Sequence, residues 1–314
     1  MKIIITGVAG FIGFHLSKLL LKKNFEIIGV DNLCKSYGVI HKKRRLEILK
    51  KNKNFKFYQI DIGKLDRIKE SRIDYIIHLA AQAGVRISQE NPELFINDNI
   101  LKTVKLFEYA RQRKINKIFY ASSSSVYGNL NKYPSKENLN INKPLSIYGI
   151  TKSSNEDLAY YYNFVYKINS IGFRFFTVYG PYGRPDMSIY IFFKAFLNNK
   201  KIFLFNKGNN YRDYTYIDDV INQIYACIKK TQKRKKFFEI FNIGGEKMIK
   251  ISELVKKISN ITNKKTTIVT KGKNKLDPVK SLASNIKIKK FSKYYKYTNI
   301  DNGLKKVYEN LLGK

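Results

Sequence analysis

Residues 2–6 form a short apolar run that leads straight into Thr6-Gly7-Val8-Ala9-Gly10-Phe11-Ile12-Gly13, and residues 11–23 then carry a helix-period pattern. A strand that ends in spaced glycines and reopens as a helix restricts the fold more than any other feature of the chain. Gly7 permits a tight turn, Gly10 lets the backbone approach a pyrophosphate, and Gly13 allows the helix to pack on the strand. The helix N-terminus turns its positive end toward the same point. The glycine spacing differs by one residue from the common G-x-G-x-x-G, and taken alone such a turn also suits an ordinary strand–helix connection.

Short β-branched runs recur at residues 26–30, 55–60, 75–79, 117–121 and 170–176. Helical patterns separate them, one opened by Pro92 and reaching about 113, another from about 148 to 167. Near-continuous apolar strands alternating with helices predict an α/β chain with a Rossmann-like, doubly wound parallel sheet. The rhythm breaks after Thr177, at the turn-rich hinge Gly180-Pro181-Tyr182-Gly183-Arg184-Pro185. The expected organisation is a first domain over residues 1–178, with return segments near 213–242, and a smaller C-terminal α/β lobe over 179–314.

Composition narrows the partners. With 44% hydrophobic residues, 23 Tyr and 21 Phe, the 314 residues have ample material for a core. No run is long enough to cross a bilayer, and the opening apolar stretch is too short for a signal-peptide core. Cys34 and Cys227 sit in no metal or redox motif, so a cytoplasmic chain without a metal is expected. Lys and Arg number 60 against 24 Asp and Glu, a net charge of +36. The excess is spread along the chain and reads as compositional bias. The two denser runs, residues 42–45 and 229–236, read as solvated helix ends or loops. With no helix-turn-helix, RRM or zinc motif, neither a nucleic acid nor a membrane is an expected partner.

Strand ends carry the next signals. Asp31 closes the second strand, where a carboxylate accepts both ribose hydroxyls of an adenosine and repels a 2′-phosphate; this favours NAD over NADP. Asp61-Ile62 closes the third, placed to meet the adenine edge. Tyr148-Gly149-Ile150-Thr151-Lys152 puts a phenol and an ammonium four residues apart on one helix face. A phenol with an ordinary pKa near ~10 is a poor base at neutral pH. A neighbouring ammonium and a cationic nicotinamide ring both favour phenolate. Ser122-Ser123-Ser124-Ser125, directly after the run 117–121, offers hydroxyls for an alkoxide or ketone beside that tyrosine.

These residues together resemble the extended short-chain dehydrogenase/reductase family of NAD-dependent nucleotide-sugar epimerases. The strings at residues 79–86, 121–128, 174–187 and 212–219 are similar to the UDP-glucuronate 4-epimerase branch. The resemblance is dense to about residue 220 and looser beyond, through Tyr297-Thr298 and Gly303-Leu304. It implies that Ser123, Tyr148 and Lys152 are the catalytic hydroxyl, base and lysine, and that Asn99 supports their geometry. Gly7, Gly10, Phe11, Ile12, Gly13, Asp31, Asn32, Asp61, Ile62, Leu79, Ala80, Ala81, Gln82 and Phe175 are then expected around NAD. Arg86, Ser124, Ser125, Thr177, Arg184, Phe205, Arg212 and Asp277 are expected around the UDP-sugar. The glycine that usually precedes the aspartate is Leu276 here, and Pro278-Val279 reverses the usual order. A homodimer through the helices near 92–113 and 148–167 is also implied.

The implied reaction is inversion at C4 of UDP-glucuronate, giving UDP-galacturonate through a 4-keto sugar. That intermediate is a β-keto acid, prone to lose CO₂ when its C5–carboxylate bond aligns with the carbonyl π system. Sister dehydratases and decarboxylases of the family carry carboxylates after the catalytic hydroxyl, where this chain has Ser124 and Ser125, too weak as acids or bases for that chemistry. The alternatives are a UDP-glucose or UDP-N-acetylhexosamine 4-epimerase, a UDP-glucuronate decarboxylase, or a non-catalytic NAD-sensing protein.

Overall fold

The computed structural model describes every residue except 37, 130, 131, 142, 274–277 and 314. It divides into two compact units. The first comprises Met1–Leu130, Leu139–Phe175 and Ile224–Phe241; the second comprises Asn131–Asn138, Phe176–Gln223 and Asn242–Lys314.

The first unit alternates strands and helices: β1 (Lys2–Thr6), α1 (Phe11–Lys22), β2 (Glu26–Val30), α2 (Val39–Lys50), β3 (Phe55–Tyr58), β4 (Tyr75–His78), α3 (Ile87–Glu90), α4 (Pro92–Ile96), α5 (Lys102–Gln112), β5 (Lys117–Ser123), α6 (Ile147–Tyr166) and β6 (Asn169–Phe175). The strands lie in the order β6-β5-β4-β1-β2-β3, every pair parallel. Outside β6 runs the strand Phe238–Ile243, whose residues up to Phe241 belong to this unit. This is the doubly wound order in which strand C-termini converge beside the β1/β4 switch point. Helices cover the sheet, so β1, β4 and β6 are buried nearly throughout. Ile4, Ile28, Ile76 and Ile118 from four adjacent strands pack with Leu106, Phe107 and Ala110 of α5 and Ala159 and Tyr162 of α6.

The helical stretch opened by Pro92 runs without a break to Gln112, as expected, with a π-helical turn, Asn97–Leu101, set between α4 and α5. Two expectations are corrected. The strand expected to stop at Ala121 continues through Ser122 and Ser123, which pair in register with Arg174 and Phe175 of β6. The basic run at residues 42–45 is not a solvated end. It lies on α2, where Lys42 is 5% and Arg45 1% exposed.

In the second unit the strand Tyr211–Tyr216 is central to a three-stranded sheet, antiparallel to Met248–Lys250 and parallel to Thr177–Tyr179. Ile202–Phe205 and Ile268–Lys271 form a parallel pair. Buried carboxylates fasten its loops: Asp213 accepts from the Gly245 and Ala283 amides, and Asp219 from the Tyr294 hydroxyl and the Thr298 amide.

Candidate active site

The glycine turn sits at the C-terminal ends of β1 and β4. Gly7 has φ +69°, and a Cβ there would stand 2.7 Å from the Ala80 nitrogen, so only glycine fits. The Gly7 amide donates to the Val30 carbonyl at 2.8 Å and the Gly10 amide to the Gly7 carbonyl at 2.9 Å. This holds the turn against β2 at the N-terminus of α1, whose first amides have no acceptor within the helix. Gly13 is buried, and a Cβ on it would meet the Gly7 carbonyl. The cradle therefore has the bare backbone and positive end that a dinucleotide pyrophosphate requires.

Just beyond β2, the Asp31 carboxylate is buried and accepts from the Leu33 amide at 2.8 Å, the Ala9 amide at 3.2 Å and Lys42 Nζ at 3.3 Å. Asn32 Nδ2 donates to Asp61 at 3.2 Å. Asp61 also accepts from the Gly63 amide and from Lys102 at 2.7 Å. Burial works against the Asp61 charge, but the hydrogen bonds from Lys102 and Gly63 outweigh it and hold its pKa below the ordinary carboxylate value. Ile62 is buried at the start of the following 3₁₀ turn. Lys42 and Arg45 were missed as site residues. Arg45 Nη1 donates to the Ala9 carbonyl at 2.9 Å, so one buried guanidinium pins the glycine turn from below while Lys42 balances Asp31. Their signal was present in the sequence: Lys42, Arg45, Leu46 and Leu49 follow the i, i+3, i+4, i+7 spacing of a buried face.

The Tyr148–Lys152 pair stands where β5, β6 and the first turn of α6 meet. Ser146 caps α6, its Oγ accepting from the Gly149 amide at 3.0 Å. A Cβ on Gly149 would lie 2.8 Å from the Ser125 carbonyl, so this glycine lets the turn carrying Tyr148 close on the serine segment. Tyr148 is half-buried. Its ring packs edge-to-face on Phe95 at 6.3 Å, and Lys152 Nζ lies 5.8 Å from the ring centroid. Lys152 is buried, donates to the Ala121 carbonyl at 2.9 Å, and has its pKa lowered by burial to about 8.

The four serines divide. Ser122 Oγ donates to the buried Glu156 at 2.5 Å, and Glu156 in turn holds Arg174 through two hydrogen bonds of 2.8 and 2.7 Å. Ser123, on the other face of β5, accepts from the Ser125 amide at 3.1 Å and contacts the Ser125 hydroxyl at 3.2 Å. Ser124 and Ser125 are half-buried. Phe175 closes β6 in register with Ser123.

The loop after β4 is tied down at several points. Leu79 donates its amide to the Thr6 carbonyl and Ala80 its amide to Thr6 Oγ1; Ala81 follows, half-buried. Gln82 is gripped at both backbone groups by the Asn99 side chain, at 2.8 and 3.0 Å. Arg86 is exposed just before α3. The second unit carries the remaining expected residues. Thr177 is half-buried at the start of its strand, and Arg184 pairs with Asp186 at 2.6 Å. Phe205 lies under Lys271 Nζ at 6.0 Å, and Arg212 Nη1 donates to the Tyr211 carbonyl at 2.7 Å. Asp277 lies outside the described residues.

Residues 3–244 match the family described as the NAD dependent epimerase/dehydratase family. The chain belongs to this family. A relative named UDP-glucuronate 4-epimerase, from Thermodesulfobacterium geofontis, is 40% identical over 308 residues, covering 96% of this chain and 94% of that protein. Among solved structures, UDP-glucuronic acid 4-epimerase from Bacillus cereus, in complex with UDP-glucuronic acid and NAD, is similar at TM-score 0.91 and 32% identity, over 100% of this chain and 99% of that chain. A UDP-glucose 4-epimerase with UDP-glucose, from Thermotoga maritima, is similar at TM-score 0.89 and 31% identity, over the same shares of the two chains. For an epimerase/dehydratase family member, the cradle at Gly7–Gly13 and the Tyr148–Lys152 pair stand on one sheet edge, within one compact unit. No helix among the described residues is long and apolar enough to cross a membrane.

Proposed function

We propose that the protein epimerises UDP-glucuronate at C4 to UDP-galacturonate, with NAD held by residues of the first unit. The observation that carries this reading is Tyr148 beside a buried Lys152 that is bonded to the Ala121 carbonyl, two residues before the strand-end Ser123, with serines and no carboxylate at positions 124 and 125. The uronate assignment rests also on the relatives that act on or bind this sugar.

Gly7, Gly10, Phe11, Ile12 and Gly13 receive the pyrophosphate of NAD, Asp31 and Asn32 its adenosine ribose, and Asp61 and Ile62 the adenine edge. Leu79 to Gln82 and Phe175 flank the nicotinamide end. When bound, NAD supplies reversible acceptance of the C4 hydride. Tyr148 removes the proton from the 4-hydroxyl and later returns one to the same oxygen, on a sugar that has turned its other face. Lys152, still protonated at neutral pH, stabilises the phenolate, and Ser123 hydrogen-bonds the 4-oxygen. Ser124 and Ser125 hold the uronate carboxyl out of alignment with the 4-keto π system, which keeps CO₂ in place. Arg86, Thr177, Arg184, Phe205, Arg212 and Asp277 are assigned to the diphosphate, ribose, uracil and uronate.

We further propose a homodimer. Leu94 on α4, Leu101 on the π-helical turn, and Ile150, Tyr161 and Phe164 on α6 are exposed apolar residues. On α6, Tyr161 and Phe164 stand about three and four turns beyond Ile150, on one face. The reaction is placed in the cytoplasm, supplying a uronate for glycan synthesis.

The test is incubation of the purified protein with UDP-glucuronate, without added cofactor, and product analysis by NMR. UDP-galacturonate is the expected product. UDP-xylose, turnover of UDP-glucose alone, or no turnover overturns the reading.

A further inference from the structure

The last residue of β4 is a histidine that no step above uses. His78 is buried, with Nδ1 2.8 Å from Thr6 Oγ1 and Nε2 3.1 Å from Thr103 Oγ1. The directions of these bonds follow from the other partners. The Thr103 hydroxyl lies 2.6 Å from the Asn99 carbonyl, which can only accept, so its proton is spent there. Nε2 must then carry the ring proton and donate to Thr103. Nδ1 is left as the acceptor of the Thr6 hydroxyl, whose oxygen in turn receives the Ala80 amide at 3.3 Å. Burial, with a smaller effect from the Lys152 charge, lowers the His78 pKa to about 3, so the ring stays neutral at every working pH.

The two ends of this relay lead to different parts of the site. One end fixes Ala80, in the loop after β4. The other fixes Asn99, whose amide group grips Gln82 of that same loop and donates to Thr151 Oγ1 at 3.1 Å. Thr151 Oγ1 donates to the carbonyl of Tyr148 at 2.9 Å. Thr6, His78, Asn99, Thr103 and Thr151 are all buried, and the π-helical turn Asn97–Leu101 is the backbone device that carries Asn99.

We infer that His78 is a positioning residue, whose two ring nitrogens lock the loop after β4 to the helix turn that carries Tyr148. The ring touches no reacting atom. A donor and an acceptor on opposite sides of a rigid ring join two hydroxyls in a way that an aliphatic side chain cannot. The inference rests on the proposed epimerase reading for its activity readout, but not for its cofactor readout.

Full-length H78L and T103V are compared with the parent protein for NAD retained after gel filtration, thermal midpoint, and kcat and KM on UDP-glucuronate with added NAD. Both variants are expected to retain clearly less NAD and to lose roughly 10–100-fold in kcat, the scale of a small misplacement of reacting groups, while KM stays within about twofold. The double variant is expected to be no worse than the poorer single one, because both cut the same relay. If H78L does not fold, T103V decides. Lowered thermal midpoints with parental NAD retention and parental kcat would reduce His78 to a core residue and overturn the inference. If the parent itself fails to turn over UDP-glucuronate, the proposed function fails, and NAD retention still decides the role of His78.

Discussion

The Lys152 ammonium is buried against the Ala121 carbonyl, and burial alone lowers its pKa from the ordinary 10.5 to about 8. The charge proposed to favour the Tyr148 phenolate is thus present at pH 7 and lost as pH rises through about 8. The kcat of the parent protein is expected to fall along an alkaline limb centred there; a profile flat to pH 9.5 removes Lys152 from this role. Stability moves the other way. Between about 8 and 10.5 the unfolded chain binds the proton that the folded chain has released, so this residue's contribution to folding rises with pH across that window. The phenol itself is tested by Y148F, expected to lower kcat by about 10²–10⁴-fold, the range of general acid–base catalysis, with bound NAD unchanged by extraction and absorbance. Activity within a factor of a few of the parent would move the proton transfer elsewhere.

At the scale of elements, the reacting edge depends on how β5, β6 and α6 are fastened. Glu156 of α6 accepts Ser122 of β5 and two bonds from Arg174 of β6, and Arg174 reaches the Tyr127 hydroxyl at 3.0 Å. All four side chains are buried. R174M would leave the Glu156 carboxylate without its counter-ion, at a cost of about 3–5 kcal/mol, read from urea unfolding of parent and variant; a loss under about 1 kcal/mol would mean that this pair does not fasten the three elements. This arrangement also shows why the serine run was only partly legible. Four identical residues carry no pattern, and alternation along β5 sends Ser122 to Glu156 and Ser123 to the opposite face. The strand had first to extend through both residues, which pairing with β6 decided. On α2, by contrast, the spacing that buries Lys42 and Arg45 could have been read, but the density of like charge masked it.

For the whole molecule, the exposed apolar face on α4, the π-helical turn and α6 lies on the same helices that present Phe95 and Tyr148. Phe164 is 66% and Ile150 44% exposed, so aspartate at both positions removes little from the monomer core. I150D/F164D is expected to run as a monomer by light scattering where the parent runs as a dimer. A parent that is already monomeric at micromolar concentration would discard the proposed assembly. The net charge of +36 is distributed among side chains with very different surroundings. Lys42, Arg45, Lys152 and Arg174 are buried against carboxylates or carbonyls, while Lys43 and Arg44 are exposed beside them.

The parallel doubly wound sheet, the glycine turn, Asp31 after the second strand and the Tyr148–Lys152 pair were legible in the chain before it folds. Each is a local pattern: apolar runs buried on both faces, glycines at one turn, or an i, i+4 spacing that a helix alone converts into proximity. The folded chain was needed to show that Ser122 turns to Glu156 and Ser123 to the other face of β5, that Arg45 bonds the Ala9 carbonyl and Lys42 bonds Asp31, and that His78 joins Thr6 to Thr103. Those contacts link residues 11 to 72 positions apart, or turn on the face a strand residue presents. Neither follows from local spacing, because each depends on which elements the sheet brings side by side.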